Sequence, residues 1–524
     1  MEETYSNYVK ISPVATKRNS GIAVELLLVA SSFTLLTWFA QLLWRRRKLY
    51  KSSSELPGPI AFPLIGCALS FIGSPYTIFA NITKMFDSYP GLFRVWFGPR
   101  LFYAVSDPKY FEILLPTCLR KEPLYHHANV IVGHGLFTAP VDIWKKHRKL
   151  IAPTFHQKIL DNFVEVFAEQ GAILVDQLKK YSGKGEFDLF HVISKCTLDI
   201  ICETAMGVKV NAQTTDALYT KWADRIMEII FMRIFVIWYH FDSVFNMTSM
   251  ATECGKIIRN MHQFSGKVVR EKKLAFEEKL RKQKESTDTY FEAEPVKRKA
   301  FLDYLLEVTT DEQTGFTEEQ LREEVDTFIV AGSDTTASTN CFVFTMLGLH
   351  QDLQDRVYEE IIDVLGPHRA VEPSDLHKLK YMERFIKETL RLFPVAGLVV
   401  RAIDEDIKVG DFVFQSGTSV VFGILRAHTN EENWPNPFKF DPDRFLPEEI
   451  AKRHPCSYVP FSYGPRNCIG PRYAMMAMKS LLCSVLRKYK IFTSYENVED
   501  VKLKANLVLR PKDGYKVSVE LRNI

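Results

Sequence analysis

The chain has 524 residues, 46% of them hydrophobic, with 67 basic and 63 acidic side chains. Nearly balanced charge gives no electrostatic footprint for nucleic acid, and the length permits one large domain with an anchor as well as several smaller ones. Nine cysteines without a Cys-x-x-Cys pair exclude a zinc ribbon and a c-type haem attachment, and their odd, sparse scatter fits a reducing compartment.

Residues 1–20 are polar and mixed, and residues 21–44 form an apolar run ending Trp38-Phe39-Ala40-Gln41-Leu42-Leu43-Trp44. That run is long enough to cross a bilayer. The cluster Arg45-Arg46-Arg47-Lys48 follows it, which places the following chain in the cytosol and residues 1–20 in the lumen. A cleaved signal peptide carries its basic residues before the apolar run, so a retained signal-anchor of the endoplasmic reticulum is expected. Residues 45–66 then read as a stop-transfer cluster and a stiff hinge, Leu56-Pro57-Gly58-Pro59 and Phe62-Pro63-Leu64-Ile65-Gly66. The rest, 67–524, is expected to be one catalytic domain.

Residues 91–106 read as two strands about Gly98-Pro99-Arg100. Trp144-Lys145-Lys146-His147-Arg148 suits a helix with Trp144 and Arg148 on one face and lysines on the outer one. Residues 158–206 carry helical periodicity. Residues 225–246 are unusually apolar and aromatic, which suits either core or a surface dipping into a bilayer. The charged stretch 268–300 is expected to be a solvated helix end with a mobile linker around Ser286–Pro295. Asn81-Ile82-Thr83 and Asn246-Met247-Thr248 are glycosylation sequons that a cytosolic position would leave unmodified.

Thr317-Glu318-Glu319-Gln320 is a capping box opening a helix expected to reach about residue 350. Its centre, Ala331-Gly332-Ser333-Asp334-Thr335-Thr336, breaks helix propensity, as functional positions often do. Glu388 and Arg391 share a helix face three residues apart. Residues 507–517 read as a closing hairpin.

Ten residues organise the remainder: Phe461-Ser462-Tyr463-Gly464-Pro465-Arg466-Asn467-Cys468-Ile469-Gly470. Pro471 suits a first helical turn, so Cys468 lies on a tight loop before a helix N-terminus, where a thiolate is favoured. Here the chain resembles the cytochrome P-450 family of haem-thiolate monooxygenases, whose cysteine-loop signature is matched at every fixed position.

The resemblance covers residues 56–524. It implies a mainly α fold with a small β-rich subdomain, haem b lying between the long central helix and the cysteine-loop helix, and a single N-terminal transmembrane anchor. Cys468 would ligate the iron. Phe461, Arg466, Trp144, Arg148 and Arg401 would surround the haem or its propionates. Asp334 and Thr335 would deliver protons, while Ala331, with Gly332, would leave room for a flat cofactor and a bound diatomic. Glu388, Arg391 and Arg444 would form a buried structural lock, and Ala331, Val395 and Leu398 would edge a pocket for a small lipophilic substrate. With no Gly-x-Gly-x-x-Gly and no length for a flavin module, NADPH electrons would come through a membrane-bound flavoprotein reductase, with cytochrome b5 a further donor.

Several phrases, including Cys196-Thr197-Leu198-Asp199 and Glu324-Val325-Asp326-Thr327-Phe328, resemble the fourth family and its insect members. That family often has a glutamate where Ala331 stands, and the glutamate can bond covalently to haem; non-covalent haem is expected here. Two rivals remain: a haem-thiolate isomerase or dehydratase without need of dioxygen, and a non-enzymatic haem-binding protein.

Overall fold

The computed structural model describes residues 14–285, 301–310 and 315–522. It divides at Pro57/Gly58 into two units. In the first, the apolar run forms most of helix α1 (Val14–Arg45). Within it Ala23–Arg45, 23 residues, is long and apolar enough to cross a membrane, and none of it is buried. At 1.5 Å per residue it spans about 35 Å. The Arg47 guanidinium lies 4.5 Å from the Trp44 ring, a cation beside an aromatic at the end of the apolar stretch.

The second unit begins inside the proline-rich stretch. Residues 58–66, expected as part of a stiff hinge, are built into it. Phe62 bridges Gly66, and Gly66 bridges Phe97. A side chain at Gly66 would collide with the Trp96 carbonyl, and its φ of 59° also favours glycine.

Helix α2 (Pro75–Ser88) is followed by the expected hairpin. Strands β1 (Leu92–Phe97) and β2 (Arg100–Val105) pair antiparallel, Leu92 opposite Val105. Two later strands, β4 (Leu398–Ala402) and β5 (Ser419–Gly423), complete a mixed sheet in the order β1-β2-β5-β4. The short β3 (Phe187–Asp188) lies between them in sequence and belongs to another sheet. The mixed sheet matters to the site because β4 carries Arg401 against Lys121 in an isolated bridge.

The helical body holds the larger core. Its main members are α3 (Val141–Ile151), α4 (Val164–Leu178), α5 (Phe190–Ile201), α6 (Tyr219–Phe235), α7 (Ser249–Glu285), α8 (Glu318–Leu349), α9 (Lys380–Leu392) and α10 (Pro471–Leu486). The periodic stretch 158–206 is thus interrupted, with β3 standing between α4 and α5. The linker expected around Ser286–Pro295 lies outside the described residues. The capping box is formed: Gln320 N–H donates to Thr317 Oγ1 at 3.2 Å and Thr317 N–H to Gln320 Oε1 at 3.1 Å. Helix α8 packs along α5, and α10 along α4.

The chain end differs from the expected hairpin over 507–517. Strand β7 (Leu503–Asn506) pairs with β8 (Val508–Pro511) about a tip at Leu507, whose φ is 65°. The last strand, β9 (Lys516–Leu521), instead pairs with β6 (Tyr489–Phe492) and with β3. Gly514 supplied a turn signal, but the tight reversal is made by a leucine held between both core clusters.

Glu388 and Arg391 are both fully buried and joined by two hydrogen bonds, Nε to Oε2 at 2.7 Å and Nη2 to Oε1 at 2.9 Å. Arg391 also donates to the carbonyls of His428 and Pro437, and the Asp441 N–H donates to Glu388 Oε1 at 2.9 Å. Arg444 Nε stands 3.5 Å from the same oxygen, while its Nη2 donates to Pro435 and Asn436. The three residues expected as a lock are therefore together. His428 extends the network: its Nδ1 is 3.2 Å from the Arg391 carbonyl, and its Nε2 accepts the Val459 N–H at 2.8 Å. Burial and the Arg391 charge push His428 down to about 3, so the ring is neutral, as an acceptor must be. Arg391→Met would strip Glu388 of its two side-chain hydrogen bonds, leaving only the Asp441 N–H and the more distant Arg444. Breaking such a buried pair costs about 3–5 kcal/mol, so the denaturation midpoint in guanidinium should fall sharply, with Glu388→Gln falling alongside it.

Candidate active site

The cysteine loop is shaped by backbone constraints before any side chain acts. Ser462 and Gly464 both have positive φ, 64° and 75°. A Cβ on Gly464 would lie 2.9 Å from Pro116 Cα, so only glycine lets the loop lie this close to residue 116. Cys468 N–H donates to the Phe461 carbonyl at 2.9 Å and Asn467 N–H to that of Gly464 at 3.1 Å. The loop feeds α10 through Pro471, and Gly470 N–H points at Cys468 Sγ from 3.3 Å. Cys468 is accessible, whereas the other eight cysteines are buried. Its surroundings desolvate it and push the thiol up, while the Gly470 N–H and Arg148 pull it down. A positive partner for the sulfur would complete that pull.

The long helix presents an open face opposite its packed ones. Ala331 and Thr335, one turn apart, are accessible in the middle of α8, while Ser333, Asp334 and Thr336 are buried. The hydroxyls do not break the helix because they return to its own carbonyls: Ser333 to Ile329 and Thr335 to Ala331 at 2.6 Å, Thr339 to Thr335 at 2.9 Å. Gly332 has a packing role. A Cβ there would lie 2.7 Å from Ile201 Cδ1, so this glycine seats α5 against α8.

Phe155 fixes the cysteine loop against that helix. Its ring stacks on Phe328 of α8 at 5.6 Å and would be 3.6 Å from a Cβ on Gly470. Phe328, Ala331 and Thr335 follow helical spacing along one side of α8. Tyr473 of α10 braces the same region, packed edge-on against Phe155, Phe163 and Phe167, with its hydroxyl 2.9 Å from Thr204 Oγ1.

A cluster of three cations marks the other side. Arg401 and Arg466 are almost fully buried, and Arg401 Nε with Arg466 Nε and Nη1 are buried without hydrogen-bond partners. Arg466 Nη2 donates to the Ala139 carbonyl, and its guanidinium lies 4.8 Å over the Trp144 ring. Lys121 completes the cluster, its Nζ 4.4 Å from the Phe137 ring and 4.9 Å from that of Tyr125. Burial and the two arginines hold Lys121 well below the usual lysine range, and burial with the Arg401 charge brings Arg466 down to about 10. Among the described residues no carboxylate pairs with any of the three. Uncompensated buried cations are costly, so this cluster fits a ligand carrying carboxylates. A flat apolar body with two propionates and a metal for the Cys468 sulfur meets every one of these requirements.

Trp144, Arg401, Arg466, Phe461 and Cys468 therefore come together as the sequence suggested. Arg148 is on the same helix face as Trp144, but its Nη1 and Nη2 donate to the carbonyl and side-chain oxygens of Asn467 at 3.1 and 2.9 Å. It braces the loop rather than joining the cation cluster. It is also drawn inward, leaving Lys145, Lys146 and Lys149 as the positive outer face of α3. Val395 is buried, its carbonyl accepting the Leu509 N–H at 2.8 Å, and Leu398 packs on the second core cluster. Sequence reasoning missed Lys121, because a lone lysine between Arg120 and Glu122 carries no signal until β4 is laid beside it.

The family model described as "Cytochrome P450" matches residues 56–519. Cytochrome P450 4c3 of Drosophila melanogaster is 36% identical over 491 residues, covering 91% of each chain. Cytochrome P450 4V2 of Homo sapiens is 37% identical over 469 residues, 88% of this chain and 89% of the relative. Cytochrome P450 4c21 of Blattella germanica is 34% identical over 501 residues, 94% and 99% respectively. Signature loop, lock, helix and cation cluster all agree with this likeness, and the chain belongs to the cytochrome P450 family of haem-thiolate monooxygenases, among the relatives numbered in its fourth family.

Proposed function

We propose that this protein is a membrane-anchored monooxygenase that hydroxylates or epoxidises a small lipophilic substrate, with Cys468 as the iron ligand. The observation that carries this reading is the accessible Cys468 sulfur beneath Gly470 N–H, set in a site whose buried cations lack acids. Thiolate-ligated haem b supplies dioxygen activation: one oxygen atom enters a C–H or C=C bond and the other leaves as water, at the expense of NADPH electrons from a flavoprotein reductase.

The chain's own groups do the rest. Arg466, Arg401 and Lys121 hold the propionates, and Trp144 stacks on Arg466 to keep its fork in place. Arg148 keeps the loop closed around Asn467 and Cys468. Ala331 leaves the space over the cofactor open, and with no carboxylate at that position the haem is held without a covalent bond. Thr335 Oγ1 turns from the Ala331 carbonyl to donate toward the reacting centre, and Asp334 replaces the proton it gives. The lysines on the outer face of α3 suit an acidic surface of the reductase or of cytochrome b5.

Helix α1 suits a signal-anchor in the endoplasmic reticulum, with residues 67–524 and the segment before them on the cytosolic side. A second apolar surface supports bilayer contact. The stretch 225–246 splits in two: Ile226, Ile229, Ile230 and Phe231 are core, whereas Trp238, Phe241 and Val244 are exposed, as is Met247 just after it. Ile237 reaches Gly98, whose N–H donates to the Ile65 carbonyl at 3.1 Å, so this patch adjoins exposed Leu64 and Ile65.

Three outcomes are expected. The reduced, carbon-monoxide-bound protein should show the strongly red-shifted Soret band of thiolate ligation, and Cys468→Ser should lose it. Mass spectrometry of the denatured chain should show no bound haem. Carboxylates arriving beside Lys121 raise its depressed pKa, so haem binding takes up a proton there. Affinity of the haem-free chain for haem should therefore contain a component that falls as pH rises from the depressed haem-free pKa of Lys121 to its higher haem-bound one. Lys121→Met should remove that component and release haem to apomyoglobin several-fold faster, with the Soret position unchanged.

A further inference from the structure

Two arms hold the Arg466 guanidinium, and both start from one buried acid. The first arm is the strap 131–139, which runs along the N-terminal half of α8. Its Ala139 carbonyl accepts from Arg466 Nη2. The second arm is α3, whose Trp144 ring lies 4.8 Å from the same guanidinium. Glu324 of α8 is fully buried. Its Oε2 accepts the Leu136 N–H of the strap at 3.1 Å, and its Oε1 lies 2.7 Å from His147 Nδ1 of α3. His147 stands one turn after Trp144 and is also fully buried. Its Nε2 has no hydrogen-bond partner, so the bond to Glu324 is what orients the ring.

The strap is shaped for that seat. A Cβ on Gly133 would collide with the Glu323 side chain, and one on Gly135 with Thr327 Oγ1, so two glycines let the backbone lie flush on α8. His262 Nε2 of α7 donates to the Ile131 carbonyl at 2.9 Å and holds the near end. Between the seat and Ala139, Phe137 is 41% exposed, and its ring meets Lys121 Nζ at 4.4 Å and the Tyr125 ring at 5.6 Å. The strap thus touches two of the three site cations, Lys121 through Phe137 and Arg466 through Ala139. Without the Glu324 oxygens, the Leu136 N–H and the His147 ring would be buried with no acceptor, and nothing would tie one arm to the other.

We propose that Glu324 and His147 are positioning residues for the cofactor carboxylates: they clamp the strap to α3 and so aim Arg466 at a propionate. Of the Arg466 nitrogens only Nη2 is engaged, while Nε and Nη1 are buried and unpartnered. A planar guanidinium anchored at one nitrogen and stacked on one ring presents the other two in a single direction. Both supports must keep their spacing for that direction to hold, and Glu324 is the group bonded to both. The proposal rests on the reading of the cation cluster as the propionate site given above.

Haem release to apomyoglobin and the reduction potential of the haem-loaded protein test this. Glu324→Ala removes a hydrogen bond to a charged group from each arm, so release should quicken about ten-fold. Reduction adds negative charge, which a cation held beside the propionates favours, so the potential should fall as well. Glu324→Gln keeps an acceptor for Leu136 and a partner for His147, and should recover most of both. The decisive comparison is made in Arg466→Gln protein. There Glu324→Ala should change release and potential little further, because the group it positions is gone, whereas an independent packing defect would add its full effect. Every variant should keep the carbon monoxide band of thiolate ligation, since none touches Cys468. Its absence from the wild type would overturn the cofactor reading itself. With the band present, wild-type release in Glu324→Ala, or full additivity with Arg466→Gln, overturns the proposal alone; should Glu324→Ala fail to fold, His147→Leu, which cuts only the α3 arm, decides by the same comparison.

Discussion

A fully buried carboxylate survives as a charge only where donors surround it, and Glu388 is the point from which this structure is tied together. Its two oxygens collect Arg391, the Asp441 N–H and the edge of Arg444. Arg391 passes the constraint to His428, and His428 passes it to Val459, two residues before the cysteine loop begins. Each link is short and has only one protonation state that fits. The loop therefore inherits a fixed origin from a helix that never touches the open space. Removing any member leaves an orphaned charge or donor in a region without water.

The site built on that origin is electrostatically lopsided. Lys121, Arg401 and Arg466 crowd together without an acid among the described residues, and the arginines keep unpartnered N–H groups. On the far side of α8, Asp334 and Asp224 share a single arginine. The first imbalance is corrected by a cofactor that brings carboxylates. The second is offset within the chain, where Arg510 faces both carboxylates. Between them the accessible face of α8 is lined by Ala331 and Thr335, where small size and one hydroxyl matter more than charge.

The elements with strong local grammar were legible in advance. The apolar segments on either side of the Gly98-Pro99 turn became β1 and β2, and the Thr317–Gln320 box became the start of α8 with both of its hydrogen bonds. The apolar run before Arg45 became α1. Glycine, proline and cysteine spacing located the loop, because φ above zero, a missing N–H and a single soft ligand are properties of individual residues. What the reading did not contain was non-local. Gly332 seats Ile201 of α5. Arg148 braces Asn467 of the cysteine loop. The end of the chain looked like one hairpin over 507–517 and is two pairings, since β9 finds β6 and β3 rather than β8.

By itself, then, the sequence determined the identity of the loop, the helix that faces it, the charges of the lock and the length of the apolar span. Those follow from residue chemistry and short-range spacing, which survive without knowing what lies across the fold. Tertiary structure alone decided which cations share a cavity wall, that Lys121 is one of them, and that Arg510, 176 residues after Asp334, closes on that acid. Partners so far apart in the chain meet only after the sheet and helices have packed. Their chemistry depends on burial and on each other, and neither quantity is written in any local stretch of residues.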